Sequence, residues 1–283
     1  MKILIFGSSG FLGKKLVKLL SKKKNLSIFR ALRNKKNVDN KNSFFCDLKN
    51  NISIKNVLNN LSPDIIVNLG SEVSFKNNNN MFSVNAVAPK IIANYCSLNY
   101  KYYIHASSIA VNGFRNKFYS NKTAYNPDTS YGKSKLIGDF NITKSGCLYS
   151  LLRFPGIYGF KGPDHLGINV SIKNALHNKK PVLLGTGSAK RNYIFVEDAA
   201  KVIVNLIKKK TKGIFYLGGE TLTFEKMFND IYNLWFPNFK IMKKQSKKKI
   251  HDQISIASKQ FHNCTSFYDS LKKINKDKLK NVQ

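Results

Sequence analysis

Acid is what this chain lacks most. Asp and Glu number 15 against 48 Lys and Arg, which leaves a formal net charge of +33, and no acid precedes Asp39. Such a balance raises nucleic acid as a partner. The lysines, however, are spread along the whole chain, and the short clusters at 22–24, 208–210 and 243–249 carry neither interleaved aromatics nor a nucleic-acid motif. A compositional drift of the surface is therefore the preferred reading, and no nucleic-acid partner is expected. A positive field would still draw in an anionic small substrate. Cysteine is also sparse: Cys46, Cys96, Cys147 and Cys264 are scattered, with no CxxC and no Cys/His cluster. This argues against a zinc site or a disulfide framework, so no metal is expected, and it fits a reducing cytoplasm. No apolar run approaches the ~20 residues that cross a bilayer, so no membrane partner is expected. The start is basic and then apolar, but "KILIF" runs straight into glycines with no small-residue cleavage site, and reads as a strand rather than a signal peptide. The Asn-x-Ser/Thr triplets "NIS" at 51 and "NIT" at 141 are chance matches in so Asn-rich a chain.

What remains is a folded chain: 283 residues, 42% of them hydrophobic, can bury one large domain or one domain with a smaller lobe. Apolar runs alternate with helical patterns, the signature of βαβ units and a parallel sheet. Strands are expected at 2–6, 26–32, 43–46, 64–70, 101–107 and 148–154. A helix is expected over 11–20, with Leu12, Leu16, Leu19 and Leu20 on one face, and others near 51–60, 81–98 and from Ser130. Past residue 155 the texture changes, and Gly and Pro punctuate "FPGIYGFKGPDHLG". There are no repeats and no long linker.

Three features carry chemistry. "GSSGFLG" places Gly7, Gly10 and Gly13 between a strand and a helix, where backbone amides and the helix dipole suit a pyrophosphate; alone, the triplet is equally a plain turn. "TSYGKSK" sets Tyr131 and Lys135 four apart, on one helical face. A neighbouring ammonium favours a phenolate, and a drop of about three units would bring the tyrosine to a working pH, at roughly 1.4 kcal/mol per unit. "IHASSIAVNG" ends a strand in Ser107 and Ser108, whose hydroxyls would point at the ligand crevice beyond the strand ends. Each feature alone has a bland reading; their order and spacing together are far more specific.

In these motifs the chain resembles an extended short-chain dehydrogenase/reductase of the nucleotide-sugar epimerase/dehydratase group, over nearly its whole length. "FFCDL" is similar to the family's adenine-contacting strand, "DIIVNLGSEVS" to the strand under the nicotinamide, and "NAVAP" to its helix asparagine. "RFPGIYG", "GTGSAKRNYIFVEDAA", with Asp198 in its V-x-D segment, and "GIFYLGG" resemble later landmarks. The resemblance implies an α/β fold: a Rossmann-type doubly wound parallel sheet with a smaller C-terminal substrate-binding lobe. Residues 1–155 would form the NAD(P)-binding domain, with 187–218 returning to it, and 156–283 mainly the substrate lobe. It implies cofactor contacts at Gly7, Ser9, Gly10, Phe11, Leu12 and Gly13 in the loop, at Asp47 and Leu48, and at Leu69, Gly70 and Ser71. Asn85, Phe154, Tyr131 and Lys135 would complete them. Ser108, Tyr131 and Lys135 would be catalytic: Tyr131 moves the hydroxyl proton, Ser108 bonds the same oxygen, and Lys135 holds the ribose and tunes the tyrosine. Ser108, Asn169 and Arg191 would meet substrate, Arg191 gripping its diphosphate.

Two departures refine this. Dehydratases of the family follow the hydroxyl residue with an Asp-Glu pair, whereas Ile109 and Ala110 stand here and cannot transfer protons. Asn112 and Gly156 replace other usual site residues, which weakens any assignment of a specific sugar. Where NAD binders place an acid past the glycine loop, this chain carries Arg30 and Arg33, which suit a 2′-phosphate; NADP is favoured over NAD. The expected activity is cytoplasmic 4-keto reduction or 4-epimerisation of a nucleotide-activated sugar, serving surface polysaccharide synthesis by family analogy, and the resemblance implies a homodimer. Rival readings are a reductase of a non-nucleotide ketone and a non-catalytic nucleotide- or RNA-binding scaffold.

Overall fold

The computed structural model describes residues 1–39, 41–73, 79–246 and 250–280. Lys247–Lys249, the end of the third lysine cluster, and Ser74, the last residue of "DIIVNLGSEVS", lie outside the described residues. By its contacts the chain divides into two units: 1–114, 124–153 and 200–215 form the first, and 115–123, 154–199 and 216–283 the second. Of the stretch 187–218, then, 200–215 lies in the first unit, and 187–199 and 216–218 lie in the second.

The first unit is built on a seven-stranded sheet. Its strand order is Gly213–Tyr216, Leu148–Phe154, Tyr102–Ser108, Ile65–Asn68, Lys2–Phe6, Ser27–Leu32, Ser43–Phe45. Lys2–Phe6 pairs in parallel with both Ser27–Leu32 and Ile65–Asn68, and the latter in parallel with Tyr102–Ser108. The chain thus builds outward in one direction from its first strand and then outward in the other. That reversal opens a crevice beyond the carboxyl ends of Lys2–Phe6 and Ile65–Asn68. Ile3, Leu4, Ile5, Ile65, Ile66 and Val67 are all fully buried, as expected of parallel strands covered on both faces, which therefore read as unbroken apolar runs.

Helix Phe11–Leu20 buries Leu12, Leu16 and Leu20 of the stripe read from the sequence, while Leu19, its fourth member, is half-buried. Helix Asn51–Leu61 starts at Asn50, whose side chain accepts the Ser53 amide, and buries Ile54, Val57, Leu58 and Leu61. These pack with Ala88, Ile92, Ala93 and Cys96 of helix Ala88–Leu98 into one core. Ahead of that helix, Ser83–Val87 forms a π-helical turn. Helix Ser130–Thr143 is capped by Thr129, whose hydroxyl accepts the Gly132 amide at 3.0 Å.

The second unit contains helices Gly167–Leu176, Phe224–Trp235 and Phe267–Lys280, with several short strand pairs. Ile194–Phe195 lies parallel to Ile157–Tyr158, and Ile254–Ser255 parallel to Phe118–Tyr119. Tyr158, Ile172, Phe195, Phe267 and Leu271 are buried in its core.

Candidate active site

Gly7 leaves the first strand at φ +72°, a left-handed conformation, and a Cβ there would lie 2.7 Å from the Gly70 nitrogen and the Leu69 carbonyl carbon. At Gly13 a Cβ would come within 2.1 Å of the Gly7 oxygen. The helix therefore sits directly on the loop, and a side chain at either place would push the two apart. Gly10 precedes the helix with no side-chain cap, and the first helical turn holds no acid. Its leading amides have no intrahelical acceptors and face the positive end of the dipole. Ser8, 4% exposed, presents at the same loop a buried hydroxyl with no hydrogen-bond partner among the described residues. A closely packed, uncapped, acid-free helix start of this kind fits a dinucleotide pyrophosphate.

The other expected cofactor residues gather at the same ends of neighbouring strands. Leu69 and Gly70 follow Ile65–Asn68, and the Gly70 amide donates to Asn68 Oδ1 at 3.0 Å. A Cβ on Gly70 would lie 2.3 Å from Leu48 Cδ1, so Leu48 covers that glycine. Beside it, Asp47 Oδ1 accepts the Lys49 amide at 3.0 Å. Ser9 is exposed, Phe11 half-buried and Leu12 buried at the helix start. Asn85 lies deeper. It is 0% exposed, and the π-helical turn directs its amide so that Oδ1 accepts Ser71 Oγ at 3.2 Å and the Glu72 amide at 3.0 Å. Its Nδ2 donates to the Glu72 carbonyl at 2.8 Å and to Ser134 Oγ at 3.1 Å. Asn85 thus ties the Ser71–Glu72 segment to helix Ser130–Thr143.

That helix brings the catalytic candidates together. Tyr131 and Lys135 share one face, and the side chains of Ser71 and Ser108 stand beside the Tyr131 hydroxyl. Ser108 closes strand Tyr102–Ser108, and its Oγ accepts the Ala110 amide at 3.2 Å. Lys135, 1% exposed, donates from Nζ to the Ala106 carbonyl at 3.0 Å. Burial pushes its ammonium down to about 8, with Asp139 opposing. One sequence expectation is corrected at this point. The Tyr131 phenol lies above its ordinary value, not below it: burial dominates, Asp139 adds to it, and the side chains of Ser71 and Ser108 offset only part.

Beneath this trio lies a polar cluster that the sequence reading did not find. Asp139 Oδ2 accepts Ser107 Oγ at 2.9 Å and Arg153 Nη2 at 3.2 Å, and both charged side chains are at most 2% exposed. Next to it, Asn68 Nδ2 donates to the Tyr103 hydroxyl, which lies 3.1 Å from His105 Nδ1. Burial, and then Lys135, keep His105 well below its usual value. The available signal was charge out of place: His105 and Arg153 sit within buried strands, and such residues are seldom buried without a partner.

Arg30 sits within strand Ser27–Leu32 and pairs with Asp39 at 3.1 Å. Asp39 is exposed, and the backbone amide of Asn42 and the Ser43 hydroxyl hold its carboxyl down at about 2. Arg33 is exposed just past the strand end. In the second unit, Phe154 is buried, and Asn169 is buried with its amide bonded to Gly159, Ile157 and Pro163. Arg191 Nη1 donates to the carbonyls of Lys190 and His251, with the guanidinium 5.3 Å from the Phe224 ring centroid. The Asp198 carboxylate accepts the Thr265 amide and hydroxyl. Among the described residues no cluster of His, Cys, Asp or Glu could hold a metal, and no helix is long and apolar enough to cross a membrane.

A family model described as the NAD dependent epimerase/dehydratase family matches residues 3–218. A curated relative, the GDP-6-deoxy-D-talose 4-dehydrogenase of Aggregatibacter actinomycetemcomitans, is 26% identical over 217 residues, covering 74% of this chain and 71% of that protein. Among solved structures, UDP-N-acetylglucosamine 4-epimerase from Bacillus cereus is similar at TM-score 0.84 and 24% identity, over 99% of each chain. The dTDP-glucose 4,6-dehydratase from Bacillus anthracis in complex with NAD is similar at TM-score 0.81 and 20% identity, over 99% of this chain and 97% of that one.

Proposed function

The chain belongs to the NAD-dependent epimerase/dehydratase family and is an enzyme of the extended short-chain dehydrogenase/reductase type, and from that premise we propose that it moves hydride at C4 of a nucleotide-activated sugar, by 4-keto reduction or 4-epimerisation. The observation that carries this reading is the convergence of the Tyr131 hydroxyl with Ser108 at a strand end, with Lys135 buried one turn away. The 4-dehydrogenase named above also acts, by its name, at position 4 of a nucleotide sugar. Elimination is not proposed, because Ile109 and Ala110, which follow Ser108, are buried and carry no proton-transferring group.

The nicotinamide, when bound, supplies or accepts the hydride. The glycine loop and the uncapped helix start would hold the pyrophosphate, and Asp47, Leu48 and Ser71 would contact the rest of the dinucleotide. Lys135 has three ammonium donors; one goes to Ala106, which leaves two for ribose hydroxyls. Tyr131 gives or takes the proton at the sugar oxygen, and Ser108 donates to that same oxygen. The phenol lies high in the chain by itself, so it starts as an acid, the protonation state that reduction of a ketone requires. Asn169 and Arg191 are proposed on the substrate side, Arg191 for phosphate oxygens.

Finer points follow from single features. Arg33, exposed past the second strand and followed by Lys35 and Lys36, supports a 2′-phosphate and hence NADP, which in turn favours net reduction. Ile137 and Phe140, exposed on the Tyr131 helix, and Phe82 and Val87, exposed beside it, support a homodimer. We place the enzyme in the cytoplasm, where its four cysteines stay thiols, and its product in surface polysaccharide synthesis. A thermal-shift panel of NAD, NADP and UDP-, dTDP-, GDP- and CDP-sugars tests the reading. At least one nucleotide sugar should raise the melting temperature; failure of all four would move the substrate to a non-nucleotide ketone.

A further inference from the structure

We propose that Asp139 is a positioning residue for the Ser108–Tyr131–Lys135 centre: its carboxylate, clamped by Arg153 and Ser107, supplies the counter-charge to the Lys135 ammonium and fixes the strand end that carries Ser108. What Lys135 and Tyr131 then do chemically rests on the oxidoreductase reading above; the charge arrangement does not.

Asp139 lies one helical turn beyond Lys135, on the same face. Its Oδ2 takes both the Ser107 hydroxyl and the Arg153 guanidinium, while Oδ1 is buried and has no hydrogen-bond partner among the described residues. Two elements besides its own helix are therefore bound to one oxygen. Ser107 immediately precedes Ser108 in the strand, so the bond to Asp139 fixes the backbone from which the Ser108 hydroxyl is presented. The carbonyl before it, Ala106, receives the Lys135 ammonium. Arg153 is oriented in turn by the Tyr125 ring, 4.5 Å from its guanidinium carbon.

Tyr131 and Asp139 lie one turn to either side of Lys135 on its own helix, and His105 of strand Tyr102–Ser108 feels its charge. Asp139 is the carboxylate in that set, and the group that acts on Lys135 in favour of its charged form. His105 is held neutral by burial and by Lys135 itself. Asp139 acts on Tyr131 in the opposite sense, disfavouring the phenolate. Removing the carboxylate charge should therefore move the protonation of both groups toward lower pH at once. Loss of packing alone would lower activity at every pH without moving either limb of the profile.

The test is a pH titration of lysine side chains by nitrogen-15 NMR on the full chain, in which a resonance titrating near pH 8 is assigned to Lys135 by its disappearance in Lys135→Met. Asp139→Asn alone strands the Arg153 charge and risks unfolding, so the main variant is the pair Asp139→Asn with Arg153→Met, which removes both charges. The midpoint of Lys135 should fall by at least one pH unit, a tenfold loss of proton affinity, and should stay near the native value in Asp139→Glu. Ser107→Ala, which removes one clamp, should shift it less in the same direction. Once a substrate is in hand, both limbs of the kcat profile should move acid-ward in the pair variant. An unmoved midpoint in the pair variant, or in Ser107→Ala should the pair fail to fold, overturns the role of Asp139 and leaves the oxidoreductase reading standing. A native chain inert toward every nucleotide sugar would count against that reading and leave the titration result standing.

Discussion

Replacing Arg153 with methionine tests the buried pair through the pH dependence of stability. Methionine keeps much of the length and bulk while removing the charge. In the native chain burial pushes the Asp139 carboxyl up to about 6, against the pull of Arg153, Ser107 and Lys135. A carboxyl raised in the folded state keeps its full contribution below its unfolded value near 3.8 and loses it as the pH climbs through the folded value. The native chain therefore loses this contribution between about pH 4 and pH 6 and is level above that. Without Arg153 the folded value rises further, so the variant continues to lose stability above pH 6, by about 1.4 kcal/mol per pH unit. Between pH 6 and pH 8 the gap from native should widen by up to about 3 kcal/mol, with about 1 kcal/mol more at every pH from the lost stacking on Tyr125. The sum at pH 8 is of the order seen when one partner of a buried pair is removed, about 3–5 kcal/mol. Urea unfolding followed by circular dichroism at pH 6 and pH 8 measures the difference directly. An equal loss at both pH values would refute the reasoning, because it would mean that Asp139 bears the same charge with and without Arg153.

Other perturbations probe separate parts of the site. Gly13→Ala drives a methyl into the Gly7 carbonyl; the clash should cost about 1–3 kcal/mol, offset in part by about 1 kcal/mol of helix propensity. NADH affinity, read by fluorescence titration, should fall at least about tenfold as the loop is displaced, and an unchanged affinity would remove the loop from the cofactor site. Asn85→Ala leaves the Ser71 hydroxyl, the Glu72 backbone and Ser134 short of partners, and chemical denaturation should show a loss of about 2–4 kcal/mol. Arg33→Ala should weaken NADP by about tenfold or more and leave NAD unaffected; equal weakening of both would end the case for NADP.

Much of the first unit was legible because its signals are local. An unbroken apolar run marks a strand buried on both faces, and the leucine stripe of Phe11–Leu20 marks the helix that packs on it. The strand-turn-helix at Gly7–Gly13 could be read because Gly10 and Gly13 answer the backbone at Gly7, only a few residues away, although Gly7 itself packs on Leu69 and Gly70 from another strand end. Tyr131 and Lys135 could be read from a four-residue spacing. The support beneath them could not, since Asp139, Ser107 and Arg153 meet from a helix and two strands, and no sequence period links them. Their helix also hid them: Ser130–Thr143 buries Ser134, Lys135 and Asp139 while exposing Ile137 and Phe140, so its polar and apolar residues are not segregated in the usual way. Asn85 was picked out by its place in a motif, but its inward bonding depends on a π-helical turn that its neighbours do not announce. Arg30 pairs with an acid nine residues away, across the turn after its strand. The height of the Tyr131 phenol depends on burial, which spacing does not measure.

Tyr131→Phe tests the central claim most directly. Native protein and variant are each given NAD(H) or NADP(H) with a panel of nucleotide sugars and their 4-keto forms, and turnover is followed by sugar NMR and by absorbance of the reduced nicotinamide. The native chain should convert at least one of them, and the variant should lose about 10²–10⁴-fold in rate while binding cofactor as the native chain does. Turnover by Tyr131→Phe at the native rate would contradict the assignment of Tyr131 as the proton-transferring residue, and with it the account of the site.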